Sequence, residues 1–74
     1  MTGEQKTWLD AHQAEGYRPL GVAPGGWRWV RIGMLHADGT FEAKTPGSRP
    51  SIRVGSFEVG VLVETNSAPQ MQGP

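Results

Sequence analysis

Apolar positions in this chain fall into one short helical stripe followed by runs of alternation, with glycine and proline between them. Thr2 with Gln5 three residues later fits a capping box, in which a hydroxyl and a carboxamide satisfy orphaned amide donors of a first helical turn. The spacing predicts a helix from Gly3 to Glu15, ended by Gly16, with Gln5, Trp8, Leu9 and His12 on one face. That stripe is narrow, and so short a helix needs a sheet to lie on.

Beyond Gly16 the period becomes strand-like. Tyr17 to Val22 reads as an irregular edge strand, because Pro19 cannot donate to a ladder. Pro24, Gly25 and Gly26 supply a turn, and Trp27 to Leu35 reads as the second strand. Asp38-Gly39 marks a hairpin into a third strand, Thr40 to Lys44. The segment 45–50 holds two prolines and a glycine and reads as a loop. Ser51 to Glu64 reads as the last strand. Its apolar parity changes between Ile52/Val54 and Phe57/Val59/Val61/Val63, which predicts a bulge or bend at Gly55-Ser56 and leaves Gly60 on the polar face.

The expected fold is α+β: an N-terminal helix packed on a small, mainly antiparallel four-stranded meander. A long bent last strand is what would curl it into an SH3-like or OB-like half-barrel. Residues 1–64 are expected to form one small domain, and 65–74, without periodicity or apolar density, a disordered tail.

Regular alternation places Trp27, Trp29, Arg31 and Leu35 on one face of the second strand, and Arg28, Val30, Ile32 and Met34 on the other, which is the better core. Two tryptophans beside an arginine suit base stacking, cation–π contact or the anchoring of a protein interface. The competing expectation is that the helix covers this face, with Trp8 and Leu9 forming a second core layer over the tryptophans. The binding candidates are Trp27, Arg28, Trp29, Arg31 and Arg49.

Composition narrows the choice of chemistry. Seventy-four residues without cysteine have no disulfide, and a core of this size rarely supplies more than about 3–5 kcal/mol. His12 and Glu15 have a helical metal-site spacing but lack further ligands, and His36 beside the hairpin is expected to face solvent. Neither a metal nor another cofactor is expected. Ser48, Ser51, Ser56 and Ser67 have no nucleophile context, and Asp38 and Glu42 lack an apolar surround that would separate their acidities, so no enzyme is expected. The loop around Arg49 lacks the lysine and helix start of a phosphate-binding loop and reads as a basic surface loop.

Seven basic residues balance seven acidic ones, against strong nonspecific nucleic-acid binding. From Tyr17 to Arg53, however, six basic residues face two acidic ones, a net of +4, while the flanks carry one against five, a net of −4. No secretory leader and no membrane-spanning run is visible, so a soluble cytoplasmic protein is expected. By size and architecture alone, the chain has the profile of a small noncatalytic accessory protein that binds and modulates a larger machine. Virus-encoded regulators or inhibitors of a host enzyme, such as an RNA polymerase or a defence complex, are examples. The alternatives are a β-sheet nucleic-acid binder that stacks bases on Trp27 and Trp29 and holds phosphates with Arg18, Arg31, Lys44, Arg49 and Arg53, and a structural or self-associating subunit.

Overall fold

The computed structural model describes residues 1–47 and 49–65. The capping box forms as expected. Thr2 Oγ1 accepts from the Gln5 amide at 3.2 Å, and Gln5 Oε1 accepts from the Thr2 amide at 2.8 Å. Helix α1 spans Gly3–Ala11, shorter than the sequence pattern suggests, and Gln13–Glu15 continues as a 3-10 turn. The helix loosens at His12, whose amide is shared between the carbonyls of Trp8 and Leu9. Gly16, at φ 80°, then reverses the chain.

Four strands follow: β1 (Arg18–Pro19), β2 (Trp27–Leu35), β3 (Phe41–Ala43) and β4 (Phe57–Glu64). All pairings are antiparallel, but the spatial order β1-β4-β2-β3 departs from the expected meander. The last strand inserts between the first two, because β4 supplies the apolar row Val59, Val61 and Val63 while β1 contributes only Arg18 and Pro19 to the ladder. β1 and β3 lie at opposite edges, so the sheet is open and does not close into a half-barrel.

The parity break at Gly55-Ser56 is the bend of the two forms expected there, but the last strand is shorter than Ser51 to Glu64. Residues 51–56 lie outside the ladder, with Gly55 at φ 81° in a turn closed by the Ser56 amide on the Arg53 carbonyl. Ile52 and Val54 are accordingly 82% and 97% exposed. The bulge lies in β2, where the register moves from Arg31↔Gly60 to Gly33↔Val59 and Ile32 is the extra residue.

That bulge exchanges the faces of β2. Side chains directly opposite one another share a face, so Val30, Gly33 and Leu35 lie with Val61, Val59, Phe57 and Phe41. Met34 passes to the other side, with Glu58 and Glu42. Helix α1 packs on the first of these faces, where Trp8 stacks on Phe41 at 4.6 Å and continues through His12 and Tyr17. Leu35 and Val59 are fully buried beneath it. Gly60 lies on the face of Glu58, as expected, but is buried there, since a Cβ would lie 2.5 Å from the Val30 carbonyl oxygen and 2.8 Å from Leu20 Cδ1.

Among the described residues no helix is long and apolar enough to cross a membrane. Thr65, the first residue of the expected tail, still donates its amide to Gly26. The rest of that tail, 66–74, lies outside the described residues.

Candidate functional site

The face opposite α1 carries the tryptophans. Trp27 stands across from Glu64, Trp29 from Leu62, and Arg31 from Gly60. Arg18 of β1 also pairs with Gly60, so two guanidinium side chains flank that glycine on one face. Trp8 stacks on Phe41, His12 and Tyr17, so the helix does not cover Trp27 and Trp29. Trp27 is 42% exposed, while Trp29 is half-buried with its indole Nε1 shielded from solvent and without a hydrogen-bond acceptor among the described residues.

Arg31 is not a free cation. Its Nε donates to Glu58 Oε1 at 3.1 Å across an exposed part of the sheet; such a pair is worth about 0–1 kcal/mol. Arg18 makes no ion pair among the described residues. Beside it, Glu15, Gly16, Pro24, Trp27, Val61 and Leu62 complete a groove of about 450 Å³. Trp27 is thus both the outermost aromatic ring and a wall of a mainly apolar depression.

Of the five sequence candidates, the register brings Trp27, Trp29 and Arg31 together. Arg28 lies on the opposite face, across from Val63. Arg49 is exposed in the β3–β4 connection, and no hydrogen bond or ion pair ties it to the tryptophans. Arg18, one of the basic residues of the nucleic-acid alternative, joins the tryptophan face, because the strand order, with β4 between β1 and β2, aligns it with Arg31.

Polar residues elsewhere bond within the fold. His36 is buried, contrary to its expected exposure beside the hairpin, because Met34 and His36 turn toward the face crossed by the β3–β4 connection. Its Nε2 lies 3.2 Å from Glu42 Oε1. A carboxylate can only accept, so Nε2 donates, and Nδ1 is buried without a hydrogen-bond partner among the described residues. Glu42 also accepts from the Ser51 amide at 3.1 Å, and that bond first, then His36, holds its carboxyl below its ordinary value. Asp38 is lowered chiefly by the Thr40 amide it caps. His12 Nδ1 donates to the Trp8 carbonyl at 2.9 Å, and no three His, Asp or Glu side chains converge as a metal cluster among the described residues.

Comparison with protein-family profiles, with characterised proteins and with solved structures gives no match.

Proposed function

We propose that this chain is a noncatalytic protein-binding module that acts by attaching to, and so modulating, a larger macromolecular assembly. The observation that carries this reading is the helix-free face on which Trp27 and Trp29 stand over Leu62, with Trp27 substantially exposed and a groove beside it. Tryptophan and arginine dominate the energetics of protein interfaces when they occupy such positions. A large aromatic ring left uncovered at the surface of so small a domain has a cost in hydration that a partner would recover.

Base stacking is the second reading, favoured by Arg18 and Arg31 flanking Gly60 beside the tryptophans. Two carboxylates weaken it. Glu64 lies directly opposite Trp27, and Glu58 already engages Arg31, so a phosphate backbone following the rings would meet negative charge.

Affinity capture from nuclease-treated lysate of the source cell tests the two readings, run with the wild-type chain and with Trp27→Ala. A stoichiometric protein retained at moderate salt by the wild type and lost by the variant is the expected result. Binding that disappears on nuclease treatment, or that falls by about 10³-fold between roughly 50 and 200 mM salt, would transfer the surface to nucleic acid.

A further inference from the structure

Backbone polarity along β2 leaves one stretch of its edge open. The Thr65 amide donates to the Gly26 carbonyl from the β4 side. In an antiparallel ladder, both backbone groups of a residue point to the same neighbour and alternate along the strand. Arg28 and Val30 therefore direct their N–H and C=O groups at Val63 and Val61 of β4, and Trp27, Trp29 and Arg31 direct theirs to the other edge. β3 covers that edge only from Ile32 onward, where the Lys44 amide donates to the Ile32 carbonyl and Gly33 to Leu35 are paired. The Trp27 amide is satisfied by Pro24 in the turn. The carbonyl of Trp27, both groups of Trp29 and the amide of Arg31 are left without a backbone partner among the described residues.

An uncovered row of this kind is a template for another strand, and proteins guard such an edge against indiscriminate pairing with a short strand, charged side chains, a proline or a bulge. Here the bulge falls at the far end of the open stretch, and the stretch itself presents Trp27 and Trp29 on one face and Arg28 and Val30 on the other. The open edge has a basic border. Arg28, Arg31 and Lys44 flank it, and Arg28 and Lys44 make no ion pair among the described residues; of the two carboxylates that β4 places on the tryptophan face, Glu58 is held by Arg31 and Glu64 stands across from Trp27, on the side of β2 away from the open edge.

We propose that the β2 edge from Trp27 to Arg31 is a strand-addition site for an extended, acidic segment of a partner protein. Its side chains on the tryptophan face would be apolar, and those facing Arg28 would be acidic. The proposal rests on the protein-binding reading above and specifies how the partner is held. A second copy of β2 fits less well, because it would bring further arginines into a basic window and its own Gly25-Gly26 turn toward Lys44. Nucleic acid has no peptide backbone with which to complete the ladder.

The test uses a synthetic 74-residue chain bearing N-methyl-Trp29, which removes the outward N–H and keeps the indole. A phage-displayed library of random dodecapeptides, panned on the unmodified chain, supplies the probe. Enrichment of sequences alternating Asp or Glu with apolar residues is expected. Binding of those peptides should weaken about tenfold or more with N-methyl-Trp29 and with Arg28→Glu, and hydrogen exchange at the Trp29 amide should slow when they bind. Peptides without acidic alternation, or equal affinity for the N-methylated chain, would overturn the proposal. So would a Trp29 amide already protected in the free chain, or protected only as concentration rises, since the edge would then belong to the chain itself or to a second copy. A natural partner lost by Trp27→Ala but retained by the N-methylated chain would leave the protein-binding reading standing and remove strand addition alone.

Discussion

The side-chain amide of Gln5 donates to the carbonyl of Gly55 at 2.8 Å, linking the first turn of α1 to the turn that launches β4, 50 residues away. The same nitrogen donates to the Leu35 carbonyl at 3.2 Å, and the side-chain oxygen accepts from Thr2. One fully buried carboxamide therefore completes the helix cap and fastens the helix to two parts of the sheet. Gln5→Ala leaves these backbone groups without partners and is expected to cost about 2–4 kcal/mol in urea unfolding. Gln5→Glu should be worse at pH 7 than at pH 4, because a carboxylate cannot donate to the two carbonyls whereas its protonated form can donate to one. Equal loss at both pH values would contradict this account.

Gly33 and Phe41 define the tightest point of the sheet. A Cβ at Gly33 would lie 2.5 Å from Phe41 Cζ and would also press on the Glu42 carbonyl. Displacing Phe41 disturbs its stack with Trp8 and hence the seat of the helix. Gly33→Ala is expected to lose at least about 2 kcal/mol, measured as a shift in denaturation midpoint. Gly21→Ala, where nothing approaches within 4 Å, serves as the control.

The three tryptophans should respond differently to truncation. Trp8 is sandwiched between His12 and Phe41 with centroids 4.0 and 4.6 Å away, so Trp8→Ala should cost about 3 kcal/mol or more. Trp27 is 42% exposed, and its removal should change stability by less than about 1 kcal/mol. Circular dichroism melts of the two variants compare them directly. A Trp27→Ala chain as unstable as Trp8→Ala would make that ring part of the core and deprive the proposed interface of its anchor.

Acid should weaken the β3 side of the sheet. Glu42 has its carboxyl lowered by the Ser51 amide first and by His36 second. Its contribution to stability is thus fully present above the unfolded-state value and is lost as pH falls through the folded one. Asp38, lowered chiefly by Thr40, acts in the same direction. Denaturation midpoints should decline below the ordinary carboxylate range, and Glu42→Gln should flatten that decline. An identical acid limb in the variant would show that Glu42 is not its source.

Much of the architecture follows from local chemistry. Thr2 and Gln5 announce the cap, Gly16 the end of the helical region, Asp38-Gly39 the hairpin, and the row Phe57, Val59, Val61, Val63 a half-buried strand. These signals survive because each acts within a few residues. Strand order is different, because it depends on which apolar rows best cover one another, and so the two-residue β1 lies beside β4. The parity of β2 shows the same limit. Val30, Ile32 and Met34 read as one face, yet the close approach of Phe41 at Gly33 accompanies a bulge that sends Leu35 to the core beneath α1. A glycine inside a strand was the available signal, but it gave no direction.

The candidate site divides along the same line. Sequence alone determined that Trp27, Trp29 and Arg31 share a face, because alternation is a property of one extended strand. Tertiary structure decided that the helix lies on the other side, that Arg18 aligns with Arg31, and that β3 ends short of Trp29 and leaves its backbone groups uncovered. Those outcomes arise from packing and pairing between segments distant in the chain, where a small difference in buried area or one extra residue in a ladder selects among arrangements that local propensities leave nearly equal.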